Sequence, residues 1–288
     1  MSPRTAWSGL DLAARQFWRT VGRRIDPYGA DDWLHAPYNR PGEVGDAWLH
    51  ALDQAGRVLP ESPDAGLLSD LAVLDGPEFR TDDLHPAVRE FYQHTARYRM
   101  DVWSQWSTAF APGGELVARL FGRRVKQLAL PVQPLAVSRG MTNTVRRVDD
   151  PLTGQHGTAW LRTLLSDGSS VYSGFYRPGR LPHSDQPCVW VSFPLEEGSV
   201  QVLLRPRADA DGSLWLESQS RRFGEDGAYV VVRHGAHWYA AMPPLRERFH
   251  VFVDDVGVLR TDHELAVWGM PALRLHYRLD LLPAPAGR

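Results

Sequence analysis

The spacing of apolar residues changes once along this chain. Up to Pro131 they return every three or four positions, as on one face of a helix, and beyond it every second position, as on one face of a strand. In the first part, Leu10, Ala13, Ala14, Phe17, Trp18, Val21 and Ile25 form an unbroken stripe. Ser8 and Asp11 open it as a capping pair, and Arg19, Arg23 and Arg24 gather toward its C-terminal end, where cations suit the helix dipole. The pattern predicts an amphipathic helix there. Pro27, Gly29, Pro37, Pro41 and Gly42 make the next stretch a long irregular connection. Val44, Trp48, Ala51, Leu52 and Ala55 then predict a second helix, and Leu67, Leu68, Leu71 and Leu74 a short third. His85-Pro86 starts another, with proline at its first helical position and Val88, Phe91, Tyr92 and Thr95 as its buried face. From Tyr98 to Trp106 the pattern fits either more helix or a strand with Tyr98, Met100, Val102 and Trp106 on one side, and a break near Arg97 is favoured. Gly113-Gly114 opens a further helix to about Gly122.

After Pro131 the alternation predicts strands over 138–148, 158–165, 170–177, 188–195, 199–205, 214–220, 228–233, 238–242, 247–254, 263–268 and 272–280. Asp167-Gly168, Asp211-Gly212 and Asp226-Gly227 fall between such runs, where tight turns need a residue with positive φ. So many sequential antiparallel strands most simply close into a barrel or a strongly curved sheet, because closure removes exposed edges. The expected fold is therefore α+β, with N-terminal helices packed on a large antiparallel meander that encloses a pocket. Residues 1–131 form its helical, tryptophan-rich portion, 132–282 the barrel-like domain and 283–288 a disordered tail.

Composition changes this picture little. A chain of 288 residues with 43% apolar and 23% charged content is ordinary for a globular protein. Lys126 is the only lysine and Ile25 the only isoleucine, as the codon bias of a high-GC genome would produce, so the abundance of arginine says little about polyanions. The net charge of -2 agrees, and no nucleic-acid partner is expected. The single cysteine, Cys188, excludes an intramolecular disulfide and suits a reducing cytoplasm. No apolar run is long enough for a secretory leader or a membrane span, so the expectation is a cytoplasmic protein.

One resemblance adds to these readings. The order His85-Pro86-x-Val88-Arg89-x-Phe91-Tyr92-x-x-Thr95, then a tryptophan-containing stretch, then Gln127-Leu128-x-Leu130-Pro131, then strands ending in Gly269 to Asp280, resembles the soluble C-terminal region of YndJ-like proteins. Trp160-x-Arg162-Thr163 is similar to the first hairpin of a barrel family that is a domain of unknown function. The likeness covers roughly residues 85–280 and leaves 1–80 outside it. It implies an architecture and supplies no catalytic residues. The membrane-spanning segments that accompany this region in longer YndJ-like proteins have no counterpart in the chain.

Candidate chemistry depends on which strand faces point inward. His234-Gly235-Ala236-His237 predicts a two-residue turn with the histidines facing each other on neighbouring strands, Cβ atoms roughly 5 Å apart. Such a pair chelates a metal, acts as acid and base, or simply flanks an exposed hairpin. His250, His276 and Glu264 stand at no recognised metal spacing from it, and no metal is expected. In 214–220, Leu214 and Leu216 share one face and Trp215, Glu217 and Gln219 the other. Glu217 is a general acid or base if that second face lines the barrel, and a solvated residue if it does not. Arg246, Arg248, His250 and Phe252 alternate with Phe249, Val251 and Val253, and Arg274, His276 and Arg278 with Leu273, Leu275, Tyr277 and Leu279. Turned inward, the cationic faces would hold an anion. Tyr172 and Tyr176 share a face and, with Arg139, Arg162, Trp190, Trp238 and Tyr239, would line an amphipathic cavity or serve as ordinary core. The catalytic candidates are thus Glu217, His237, His250 and Tyr176. The substrate-binding candidates are Arg139, Arg162, Tyr172, Trp190, Trp215, Trp238, Arg248 and His276.

The exclusions are firmer. Walker A, Schiff-base lysine, dinucleotide GxGxxG, GxSxG, HExxH and CxxC signatures are absent, and Asp209 to Gly212 is too short for a calcium loop, so no cofactor is expected. The sequence points to a small amphipathic or anionic organic molecule bound in a barrel pocket, with or without cofactor-independent acid/base chemistry of the cyclase or lyase type. The rival is a non-enzymatic interaction or carrier protein whose N-terminal tryptophans, Trp7, Trp18, Trp33 and Trp48, pack on a partner or a second copy of the chain.

Overall fold

The structure is a computed structural model that describes residues 9–43, 45–107, 141–150, 155–164, 170–220 and 222–282. Within these residues three short helices, α1 (Gly9–Val21), α2 (Ala47–Gln54) and α3 (Pro86–Gln93), accompany thirteen strands of one sheet. The strands are β1 (Arg23–Ile25), β2 (Tyr98–Trp106), β3 (Met141–Asp150), β4 (Gln155–Leu164), β5 (Ser170–Arg180), β6 (Pro187–Leu195) and β7 (Gly198–Ala208), then β8 (Leu214–Ser218), β9 (Gly227–His234), β10 (His237–Ala241), β11 (Leu245–Val253), β12 (Leu259–Val267) and β13 (Met270–Leu281).

Ten of them close a ring. β2 to β7 pair in sequence, β8 joins β7, β11 joins β8, and β12 and β13 lead back to β2, every pairing antiparallel. Among the described residues the seam between β2 and β3 rests on one residue pair, Met100 opposite Met141, and Asn143 reinforces it by donating to the Tyr98 carbonyl at 2.8 Å. The ring is not a pure meander. β7 shares one edge between two partners, β9 along Gly198–Leu203 and β8 along Arg205–Ala208. The chain therefore leaves the barrel after β8, builds the β9–β10 hairpin with β1 on its far edge, and returns as β11.

All eleven strands expected beyond Pro131 are present, and β2 adds a twelfth where the alternation of Tyr98, Met100 and Val102 allowed a strand. The break before it falls as expected: α3 ends at Gln93 and a 3-10 turn at Thr95–Arg97 turns the chain into β2. The helical half is thinner than its periodicity predicts, and residues 23–25 and 98–106 belong to the sheet, so the strands do not respect a division at residue 131. The first helix stops at Val21, because Gly22 ends it and Arg23–Ile25 find hydrogen-bond partners on the open edge of β10. The leucines of 67–74 form only a 3-10 turn at Leu71–Leu74. Their spacing reflects burial against the barrel: the amide of Leu68 donates to the Tyr92 carbonyl and that of Leu67 to Thr95 Oγ1. Val44, the helix expected over 113–122, the start of the strand over 138–148, the Asp167-Gly168 turn and the 283–288 tail lie outside the described residues.

Two layers of core follow. Leu67, Leu68, Leu71, Leu74, Phe79, Leu84, Val88, Phe91 and Tyr92 belong to the same apolar cluster as the inward residues of the barrel, so the segment ending in α3 plugs one end of it. His85 donates its amide to Gly212 in the β7–β8 turn, and Thr158 on β4 donates its hydroxyl to the Gly66 carbonyl. The earlier N-terminal segment covers the outer wall. Trp33 and Leu34 pack with Trp190 and Leu203, and Trp48 and Leu49 with Val148, Ala159 and Phe175. β6 is thereby buried on both faces, which is why it reads as an almost unbroken apolar run.

Candidate functional site

Among the described residues, the cavity inside the barrel is lined by apolar side chains and one group of polar ones. β4 turns Trp160 and Arg162 inward, β5 Tyr172 and Tyr176, β11 Glu247, β12 Thr261 and His263, and β13 Tyr277, around a cavity of about 130 Å³. Period-two alternation puts each on the core side: Glu247 shares its face with Phe249 and Val251, His263 with Leu265, and Tyr277 with Leu275. Arg162 lies directly across from Tyr172, and a bulge in the β4–β5 ladder follows at once. The Tyr172 and Tyr176 hydroxyls are 2.5 Å apart. Gly174 stands between them on the same face, and a Cβ there would come within 2.9 Å of the Tyr172 ring, so glycine makes room for the phenol.

Arg162 is the electrostatic centre of the group. Only 9% exposed, its guanidinium carbon lies 3.7 Å from the Trp160 ring centroid, 4.6 Å from Tyr172 and 5.4 Å from Tyr277. Among the described residues no carboxylate pairs with it, and its Nε is buried without an acceptor. The buried carboxylate of the site, Glu247, is engaged elsewhere: Oε2 lies 3.3 Å from His263 Nε2, both side chains 12% exposed. Phe249 stacks on the His263 ring at 3.9 Å and 16°, which fixes its plane. Trp160 is held by donating Nε1 to Asn143 Oδ1 at 3.1 Å. Burial pushes the phenols of Tyr172 and Tyr176 far above the ordinary range, so both stay protonated at neutral pH.

Of the expected site residues, Arg162, Tyr172 and Tyr176 meet in this cavity. Arg139 lies outside the described residues. The others stand away from it for reasons of strand parity. Because Leu214 and Leu216 are buried, Glu217 points outward with Trp215 and pairs with Arg248 at 3.0 Å and Arg207 at 3.7 Å. His250 also faces out, stacked on Trp215 at 4.1 Å and on Phe252 at 4.7 Å. His276 lies on the outer wall with Asp262 at 2.6 Å, and Trp190 under the N-terminal segment with Arg177 over its ring at 4.1 Å. Trp238 joins Tyr28 and Tyr38 in a surface recess. His237 faces His234 across the hairpin, as the turn predicted, but each binds an arginine instead, Arg24 and Arg19, both at 2.9 Å. The four catalytic candidates therefore do not converge. Among the described residues no group of three or more His, Cys, Asp or Glu side chains is placed to hold a metal ion, and no helix is long and apolar enough to cross a membrane.

Sequence reasoning missed Glu247, His263 and Tyr277. The signal was present as polar interruptions of otherwise apolar strand faces, such as a glutamate in phase with Phe249, Val251 and Val253. Trp33 and Trp48, which a partner-binding surface would need exposed, are buried, while Trp7 lies outside the described residues.

Two histidines tie stability to pH. Burial holds the pKa of His250 below its ordinary 6.5 and leaves Nε2 without a partner. His35 is held low by burial first and then by Arg177. A histidine kept neutral in the fold takes up its proton more readily when unfolded. Its contribution is therefore full above the unfolded value of 6.5, declines as the pH falls below it, and levels off past the lowered folded value. The melting temperature is expected to drop from about pH 7 to about pH 5, and less steeply in His250→Phe and His35→Phe. Thermal melts at both pH values check this; an unchanged slope in both variants rules it out.

The fold and site define a closed ten-stranded antiparallel barrel whose plugged interior holds a small cavity built around a buried arginine. No protein family, curated protein or solved structure matches the chain.

Proposed function

We propose that the barrel interior binds a small organic anion whose acid group rests on the Arg162 guanidinium. The observation that carries this reading is a buried cation with no anionic partner among the described residues. Aromatic faces offset part of its desolvation, about 2 kcal/mol for a good cation–π contact, whereas removing an ion from water costs several kcal/mol. A carboxylate matches the planar donor fork of arginine and supplies the missing charge. The rings of Trp160, Tyr172 and Tyr277 would hold the apolar part of the ligand.

The cavity of about 130 Å³ is close to the roughly 150 Å³ that accommodates benzene in an engineered apolar site. The ligand is therefore a short-chain or single-ring acid. Isothermal titration with isobutyrate, pyruvate and benzoate, each beside its amide, tests the reading. The acids are expected to bind at least about tenfold more tightly than the amides, a difference of about 1.4 kcal/mol. Equal affinity for acid and amide, or no binding by any of them, would remove it.

A further inference from the structure

Resting on the reading that Arg162 holds the acid group of a small organic anion, we propose that the cavity is catalytic and enolises small keto acids, with His263 removing and returning a proton on the carbon next to the ligand carbonyl. Three arrangements in one cavity support this. The first is the Glu247–His263 pair, which stands 3.3 Å apart, almost fully enclosed, on adjacent strands of the cavity wall. With the Nε2 proton committed to the Glu247 carboxylate, a neutral imidazole keeps its lone pair on Nδ1 and is a base. The carboxylate then stabilises the imidazolium formed when Nδ1 takes a proton, and the Phe249 stack keeps the ring from turning away.

The second arrangement is the pair of phenols. Two hydroxyls 2.5 Å apart use one of their two protons in the bond between them. The other is left for a ligand oxygen. Burial keeps both phenols protonated, so the pair is a standing donor for the oxygen on which charge develops, within a largely apolar lining. The third is Arg162, directly across from Tyr172 on β4, which would hold the carboxylate of a keto acid beside its carbonyl. Arg162, Tyr172, Glu247 and His263 line the same cavity, so cation, phenol and base face one volume.

The step balances without any further reactant. The C–H bond breaks and its proton passes to His263. The electron pair becomes the carbon–carbon double bond of the enolate, and the carbonyl π pair moves onto oxygen, where a phenol proton meets it by hydrogen bonding. Return of a proton to the same carbon regenerates the keto acid, and in heavy water the carbon gains a deuteron instead. Glu247 acts through the imidazole and is a positioning residue; His263 is the group that touches the reacting carbon.

The test follows pyruvate and 2-oxobutyrate by proton NMR in deuterated buffer, with binding measured in parallel by calorimetry. The wild-type protein is expected to speed the loss of the signal next to the carbonyl. His263→Gln is expected to slow this by about a hundredfold or more, with binding changed by less than about threefold. Glu247→Gln is expected to slow exchange by about tenfold or more with binding changed by less than about threefold, because the imidazole loses the carboxylate that orients it, and Glu247→Asp to restore the rate in part. The wild-type measurement stands even if a variant fails to fold. Binding by the wild type with exchange no faster than in buffer, or unchanged exchange in folded His263→Gln, overturns enolisation and leaves anion binding intact. Failure of every acid to bind overturns both.

Discussion

Arg162→Met is expected to weaken binding of small organic acids by roughly 30- to 1,000-fold, about 2–4 kcal/mol, while leaving the unliganded barrel as stable as before or more so. The two halves of this expectation come from one fact. An arginine enclosed by Trp160, Tyr172 and Tyr277, with its Nε unbonded and no carboxylate opposite among the described residues, is costly in the empty site. Methionine keeps much of the side chain's length, packs well against aromatic rings and carries no charge to desolvate. Titration of wild type and variant with the same acids and amides, together with thermal melts of both, separates binding from packing. A purely structural Arg162 would show the opposite pattern: a lower melting temperature, and equal losses for acid and amide.

The second large effect is on stability. Trp48→Ala is expected to cost about 3–5 kcal/mol in urea unfolding. Trp48 is 2% exposed and meets Phe175 edge-on at 6.1 Å, with Val148 and Ala159 in the same cluster. Its indole donates to Ser173 Oγ at 3.0 Å, and its amide donates to Asn39 Oδ1 at 2.8 Å. Truncation leaves a cavity on the outer wall of β5 and strands the Ser173 hydroxyl. Trp103→Ala is the control: 52% exposed on the outer face of β2, it is expected to cost less than about 1 kcal/mol. Similar costs for the two would mean that the N-terminal segment does not buttress the barrel.

The site was partly legible. Tyr172 and Tyr176 share a face by simple parity, and Arg162 is placed with them as one of the residues that would line an amphipathic cavity. Glu217, Arg248, His250 and His276 are polar interruptions of the same kind, yet they lie on the outer wall, where Arg248 pairs with Glu217, His276 with Asp262, and His250 stacks on Trp215. On β11 both phases carry charged and apolar residues: Arg246, Arg248, His250 and Phe252 in one, Glu247, Phe249, Val251 and Val253 in the other. Either phase buries charge, one carboxylate in the second against three cationic or titratable side chains in the first. Glu247 is there because the opposite phase would place three cationic or titratable side chains in the core. The partners that make its burial tolerable, His263 through its carboxylate and Ser218 through its backbone, come from other strands.

The sequence by itself determined where the strands beyond Pro131 lie, to within a few residues at their ends, and where the chain turns between most of them. Alternation and turn residues are local properties, and a strand with Gly235-Ala236 or Asp211-Gly212 beside it needs no distant partner to be recognised. It also favoured a break near Arg97, between α3 and β2, while leaving helix or strand open beyond it. Only the tertiary structure decided closure, the split edge of β7, the recruitment of Arg23–Ile25 into the sheet and the choice of inner face on each strand. The reason is geometric. The side-chain period of a strand is two, so a shift of one residue exchanges the faces, and the exchange is settled by what covers the outside. The N-terminal segment supplies that cover, which lets Trp190 be buried outside the barrel while Val189 and Val191 are buried within it.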